Sequence, residues 1–301
     1  MNNKFTSALF ELFSLYSNSE NFNLDASTCS KSCGKYDNYR CFLKSIDAVI
    51  TADEKTFINF NNELVFSFKK FYDMYNIYQL QYKDYISILK IKDDIKKVAG
   101  DKLCSVLLVG SHARNAANER SDYDFLVICD DKNKYNKKIN DKKIDIISYT
   151  TKEFECAVSD EDEFVLWGIK YGLIIYDVDY LKFYFLFKDA KLLKLKKRKK
   201  ELLERLVYRT SLTIGSRNTS VMYKRIEDLK TQILRSSIIA LGSIPKSSPE
   251  LPEQFEKNIN NAELTEGISS VEIKQDFAEP QLVESFETLR KFYFEWLRER
   301  L

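Results

Sequence analysis

The amino-acid sequence predicts an α+β protein in three parts: an N-terminal helical module ending in a hairpin, a central mixed sheet with flanking helices, and a C-terminal helical bundle. The chain has 301 residues, of which 44% are hydrophobic, enough for a sizeable core. Only 8 glycines and 4 prolines occur, and so few turn formers favour helices. Apart from one short hairpin, strand-length apolar runs are concentrated between residues 103 and 176.

Residues 1–61 are predicted to form three short helices followed by two short strands. Gly34 is a suitable end for the second helix, and the strands are expected at Ala48–Ala52 and Thr56–Phe60. This order resembles a winged helix-turn-helix module. The resemblance implies DNA as a partner, with scaffolding or dimerisation as the alternative. Three cysteines of this module, Cys29, Cys33 and Cys41, have no fourth ligand nearby, so we expect buried thiols rather than a zinc site.

Residues 62–84 are predicted to be a connecting helix, whose buried face is expected to carry Leu64, Phe68, Phe71 and Tyr72. Residues 85–180 are predicted to be a core that contains four strands. The first strand, Leu103–Val109, ends at Gly110 and Ser111. The following strands are expected at Phe125–Ile128, Lys143–Tyr149 and Leu173–Tyr176.

Three carboxylates in this core are the candidate metal-binding and catalytic residues. Asp122 and Asp124 are two residues apart on an entering strand, so both side chains lie on one face. Asp145 alternates with Ile144 and Ile146 on the next strand, so it lies on the face opposite those two, where an adjacent strand could bring it beside the pair. Neighbouring carboxylates repel unless a cation lies between them, and their hard oxygens suit Mg²⁺, or Mn²⁺ in its place. Three carboxylates on adjacent strands are typical of a two-metal site for phosphoryl or nucleotidyl transfer.

The stretch from Leu108 to Val127 resembles the signature of polymerase-β-type nucleotidyltransferases, especially the minimal and the antibiotic nucleotidyltransferases. Their pattern is a strand, Gly-Ser, one variable residue, Ala-Arg-Gly, and then Ser-Asp-x-Asp. Asn115 departs from it where Gly is usual, although Asn tolerates a left-handed backbone. The matching residues are Gly110, Ser111, Ala113, Arg114, Ser121, Asp122 and Asp124, and Asp145 matches the family's third carboxylate.

The resemblance implies a central nucleotidyltransferase sheet and a nucleoside triphosphate as substrate. Asp122, Asp124 and Asp145 are then the catalytic and metal-binding residues. Gly110, Ser111 and Arg114 are expected to bind the nucleotide. We expect transfer of a nucleoside monophosphate to an acceptor hydroxyl on a small molecule, a protein side chain or an RNA end. The alternative is a DNA-binding regulator or antitoxin-like protein whose core binds nucleotide as a signal.

Residues 181–301 are predicted to form the helical bundle, which begins with a strongly basic run. The whole chain has a net charge of +2, but residues 191–209 alone carry +7. Such a run is either a solvated helix face or a surface for an anionic substrate. On the second interpretation, the side chains that contact phosphate or nucleic acid are Lys196, Lys197, Lys199 and Lys200.

Several classes of function are excluded by composition. His112 is the only histidine in the chain, so a His-rich zinc site and an Arg-plus-His ribonuclease are excluded. No apolar run approaches the roughly 18 residues that cross a bilayer, and no signal peptide pattern is present. Six irregularly spaced cysteines suit reduced thiols, so a cytoplasmic location is expected.

Overall fold

The structure is a computed structural model. It describes residues 49–52, 55–131, 138–139, 142–185, 192–214, 218–258, 268 and 271–301. These residues divide into two compact units. The described residues up to 159 and from 164 to 185 belong to the first, and residues 160–163 and the described residues from 192 onward to the second.

Nine helices and seven strands occur in the described part of the chain. The strands are β1 Val49–Ala52, β2 Lys55–Ile58, β3 Leu103–Val109, β4 Tyr123–Cys129, β5 Lys138–Ile139, β6 Lys142–Tyr149 and β7 Leu173–Asp177. The helices are α1 Glu63–Tyr78, α2 Tyr82–Ala99, α3 Gly110–Ala113, α4 Thr151–Ser159, α5 Glu163–Tyr171, α6 Leu193–Ile214, α7 Thr219–Ala240, α8 Leu251–Asn258 and α9 Glu279–Phe292. Short 3-10 turns lie at Gly100–Lys102, Leu181–Phe183 and Ser248–Glu250, and a π-helical turn at Tyr293–Leu297.

A mixed five-stranded sheet in the order β5-β6-β4-β3-β7 forms the centre of the first unit. The pair β4 and β6 is parallel, and the other neighbours are antiparallel. The α+β fold class is therefore confirmed. All four strands predicted for the core are present, and the bounds of β3 agree with the sequence pattern.

Helices cover both faces of this sheet. On one face, Leu107 and Val109 of β3 pack in a core with α1, α4 and α5. On the other, Val106 and Leu108 pack in a second core with α2. Because side chains alternate along a strand, the continuous apolar run of β3 supplies both cores.

The buried face of α1 agrees only in part with the predicted one, since Tyr72 is buried and Phe68 half-buried as expected. Leu64 and Phe71 were expected inside but are 47% and 55% exposed. The helix instead buries Lys69 and Asp73, whose side chains form an ion pair with an Nζ–Oδ2 distance of 2.5 Å. Asp73 also accepts a hydrogen bond from the backbone N–H of Ile174. The buried face of α1 therefore combines this ion pair with apolar residues such as Val65, Phe66 and Ile77.

The expected hairpin of the N-terminal module is present. Strands β1 and β2 pair antiparallel, close to the predicted runs. The three helices predicted before it, and the cysteines Cys29, Cys33 and Cys41, lie outside the described residues. The winged-helix module therefore stays a prediction, as do the domain boundaries at residues 61, 84 and 180.

The second unit is a bundle built from α6 to α9. Buried apolar residues line one face of α7 at helical spacing, and the same holds for α9. Among the described residues, none of the helices has the length and apolar character needed to span a membrane.

Candidate active site

The three aspartates predicted to act together lie near the end of the sheet at which β3 ends and β4 begins. Asp124 of β4 is in direct parallel register with Asp145 of β6. On its other side, Asp124 pairs with Val109, the last residue of β3. The Gly110 turn, the Asp122–Asp124 pair and Asp145 therefore meet where three strands are adjacent.

Gly110 is required by close packing against Asp124. Its φ is 74°, in the left-handed region that favours glycine. A Cβ at this position would lie 1.9 Å from Oδ2 of Asp124. The carboxylate thus rests against the glycine backbone, and the short α3 turn begins there.

The departure from the family pattern at Asn115 is explained by its backbone. Asn115 has a φ of 54°, a left-handed conformation that Asn adopts more readily than most residues. The carbonyl of Ser111 accepts hydrogen bonds from the N–H groups of Arg114 and Ala116, which closes the turn. The turn expected from Gly at this position is therefore formed with Asn.

His112, a residue of this turn, is buried and contacts the backbone of Asp122. Its side chain is buried, and Nδ1 lies 3.0 Å from the carbonyl oxygen of Asp122, to which it donates in the matching tautomer. The ring packs on Tyr123, with 4.6 Å between centroids. Tyr123 in turn donates a 2.6 Å hydrogen bond to Asp84 of α2. The sequence pattern treats position 112 as variable, and only its being the single histidine of the chain singled it out.

Asp124 has a perturbed acidity. Burial raises the pKa of its carboxyl to about 6, and repulsion from Asp145 and Asp122 adds to the effect. Lys143 and Arg114 act in the opposite direction. Such a shift is typical of like charges gathered at a functional site.

Lys143 is a site residue that the sequence analysis missed. Its Nζ lies 2.5 Å from Oδ2 of Asp145 and 3.9 Å from Oδ2 of Asp122. The hydrogen bond to Asp145 raises the pKa of the ammonium group above its usual value. The signal was available, because residues at i and i+2 of a strand share a face and Lys143 precedes Asp145 by two.

Comparison with known proteins identifies the domain that carries this site. Residues 88–226 match the family model described as nucleotidyltransferase domain. This stretch is a nucleotidyltransferase domain. The expected class, a nucleotidyltransferase enzyme, is confirmed by this match.

One solved structure similar to this chain is a nucleotidyltransferase-like protein from Exiguobacterium sibiricum 255-15, at 14% sequence identity. The match covers 67% of this chain and 73% of that one, with a TM-score of 0.42. A search of curated proteins finds no significant match.

Arg114 and Ser111 of the nucleotidyltransferase domain both lie on the turn after β3. The Arg114 guanidinium lies 5.0 Å from the ring centroid of Trp167, in a cation–π contact. Its charge also offsets a small part of the rise in the pKa of Asp124. This position next to the carboxylates agrees with a phosphate-binding role, which stays a prediction.

The donor set of the domain fits a divalent cation, although it is not arranged as a finished metal site. Within the described ranges, no group of three or more His, Cys, Asp or Glu side chains has metal-binding geometry. The oxygens of Asp122, Asp124 and Asp145 are nevertheless the hard ligands that Mg²⁺ or Mn²⁺ takes. A cation, the Lys143 ammonium, already lies against two of these carboxylates. The residues present therefore suit a positive ion at this place.

The four lysines predicted to contact phosphate or nucleic acid have different surroundings in the second unit. Lys199 is buried and pairs with Glu163 at 2.6 Å, and Lys196 donates a 2.9 Å hydrogen bond to the carbonyl of Ala240. Lys197 is exposed and Lys200 half-buried. Two of the four thus contribute to the packing of the bundle, and the phosphate-contact role predicted for the set is untested.

Proposed function

We propose that this nucleotidyltransferase transfers a nucleoside monophosphate from a nucleoside triphosphate to an acceptor hydroxyl, with release of pyrophosphate. The observation that carries the proposal is the direct register of Asp124 with Asp145, with Asp122 two residues away on the entering strand. Three carboxylates grouped at the ends of neighbouring strands suit the two-metal chemistry of nucleotidyl transfer.

Asp122 and Asp124 are proposed to hold both Mg²⁺ or Mn²⁺ ions, and Asp145 to complete one of the two sites. Bound there, the metal would neutralise charge on the phosphates and make the acceptor hydroxyl more acidic. The raised pKa of Asp124 supports this assignment, since the residue carries a charge that burial and its neighbours disfavour in the free protein.

Gly110 and Ser111 are proposed to hold the β- and γ-phosphates through backbone N–H groups and the serine hydroxyl. The missing Cβ of Gly110 lets its backbone lie directly against the Asp124 carboxylate, so a phosphate bound by this turn would lie next to the carboxylates. Arg114 is proposed as a further phosphate contact, because its guanidinium is close enough to act on Asp124.

Asp145 is proposed to accept the proton of the attacking hydroxyl. The acceptor oxygen forms a bond to the α-phosphorus, and the bond from that phosphorus to the bridging oxygen breaks. The electron pair leaves with pyrophosphate, and the proton passes to the Asp145 carboxylate. The acceptor is a small molecule, a protein side chain or an RNA end, in a cytoplasmic setting.

The experiment that tests this function compares two labels on the same nucleotide. Protein, Mg²⁺ and each of the four nucleoside triphosphates are incubated with candidate acceptors. The proposal predicts acceptor labelling from the α-phosphate and none from the γ-phosphate. Labelling from the γ-phosphate alone would mean that the protein is a kinase-like phosphotransferase instead.

A DNA-binding role for the N-terminal module is the second proposal. Its only structural support is the β1–β2 hairpin, which matches the wing of the predicted module. Transfer and DNA binding are compatible, so a mobility shift with random duplex DNA tests this role independently of the transfer assay.

A further inference from the structure

Lys143 forms a short contact with the proposed metal ligands. It lies on β6 two residues before Asp145, and its ammonium group lies between Asp145, at 2.5 Å, and Asp122, at 3.9 Å. All three side chains are 41–57% exposed, so the ammonium reaches the carboxylates from the solvent side.

A cation at this place reduces the repulsion among the three carboxylates while no metal is bound. The carboxylates of Asp122, Asp124 and Asp145 repel one another: after the larger effect of burial, the charges of Asp145 and Asp122 raise the pKa of Asp124. One ammonium group reduces the local charge from −3 to −2. Lys143 therefore neutralises part of the negative charge that a divalent cation would neutralise more fully.

The ammonium and a metal ion require the same oxygen. A divalent cation bound to Asp145 takes the lone pairs that accept the Lys143 hydrogen bond. Lys143 is held by a flexible, exposed stem, and exposed ion pairs are weak, so a metal ion can displace it. Displacement still opposes metal binding, because a positive charge must leave.

We propose that Lys143 is a tethered cation that occupies the metal site of the free protein and competes with free divalent metal. Resting on the transfer function proposed above, this competition makes metal binding depend on the nucleotide. A metal ion that arrives with a triphosphate brings phosphate oxygens as further ligands and displaces Lys143, whereas free metal displaces it less well. Metal and nucleotide therefore strengthen each other's binding.

The test measures binding of Mn²⁺ alone by titration calorimetry, without any turnover. Lys143→Met removes the competing charge, and we expect at least about threefold tighter Mn²⁺ binding than in the wild type. Lys143→Arg keeps the charge and should bind Mn²⁺ like the wild type. Lys102→Met is the matched control, since it removes an exposed lysine that pairs with Asp131 at the far end of β3. It should leave Mn²⁺ affinity unchanged.

A second titration adds a nucleotide analogue with a methylene group between the α- and β-phosphates. The factor by which this analogue tightens Mn²⁺ binding should be smaller in Lys143→Met than in the wild type. Lys143→Gln repeats both measurements if the Met variant does not fold.

Two results would count against the inference and are distinct from each other. Equal or weaker Mn²⁺ binding by both neutral variants, with the wild type binding Mn²⁺ and analogue normally, overturns the role of Lys143 alone. Absence of Mn²⁺ binding by every protein, even with the analogue present, overturns the metal-dependent function and this inference with it.

Discussion

Replacing Asp124 with asparagine is expected to stabilise the metal-free protein while abolishing transfer. Burial and the charges of Asp145 and Asp122 raise the pKa of Asp124 to about 6, so ionising it opposes folding at neutral pH. Asparagine has the same shape and no charge, so its contact with Gly110 is retained. The same carboxylate is proposed to hold metal, so its loss removes activity.

The size of this effect follows from the pKa shift. From 3.8 to about 6 is about 2 units, and each unit corresponds to about 1.4 kcal/mol. Because Asp124 is only partly buried, solvent screening reduces the expected gain to about 1–2 kcal/mol. The folded protein binds the proton more tightly than the unfolded chain, so wild-type stability falls as pH rises from about 4 to about 6. The advantage of Asp124→Asn is therefore complete above that range and absent below it.

The assay is urea unfolding at several pH values between 4 and 8 in the presence of a chelator. Asp101→Asn is the control, since Asp101 is an exposed carboxylate in the turn before β3. The reasoning is refuted if Asp124→Asn is less stable than the wild type at pH 7.5, or if its advantage does not change with pH. Transfer activity within a few-fold of the wild type would refute the metal assignment.

Three further substitutions test other parts of the site and the basic run. Gly110→Ala places a Cβ against Asp124 and strains a left-handed backbone, so we expect loss of transfer and of about 1–3 kcal/mol of stability in urea unfolding. His112→Phe keeps an aromatic ring but loses the hydrogen bond to the backbone carbonyl of Asp122; kcat should fall roughly 10–100-fold with KM less affected. Replacing Lys197 and Lys200 together with Gln should reduce the salt dependence of RNA binding by about one to two ion equivalents if the acceptor is a polyanion. Unchanged slopes would favour a small-molecule or protein acceptor.

The strands of the sheet could be predicted because each contains an apolar run that ends next to a glycine or a charged residue. Leu103–Val109 stops where Gly110 allows a left-handed turn, and the pattern alone located this end. Alternation within β6 also predicted that Asp145 would lie on the face of the Asp pair. The direct register of Asp124 with Asp145 could not be predicted, because register depends on which strands pair and not on spacing along one strand.

The residues that sequence reasoning missed are polar groups in unexpected surroundings. Lys69 and Asp73 look like surface residues, yet they are buried because each neutralises the other. His112 is buried because the carbonyl of Asp122 offers its ring a partner. Strand alternation alone places Lys143 on the same face as Asp145. A lysine two residues from an aspartate is common in strands, however, so the sequence does not mark Lys143 as a site residue.

The most direct test of the proposed division of labour among the carboxylates is the behaviour of Asp145→Asn. Asp122 and Asp124 remain to hold the metal that accompanies the triphosphate, so calorimetry should give a nucleotide affinity near that of the wild type. The proton of the acceptor hydroxyl then has no base, and single-turnover transfer should slow by at least about a hundredfold. Normal binding with normal turnover would remove Asp145 from the mechanism, and loss of binding would contradict the placement of the nucleotide's metal on Asp122 and Asp124.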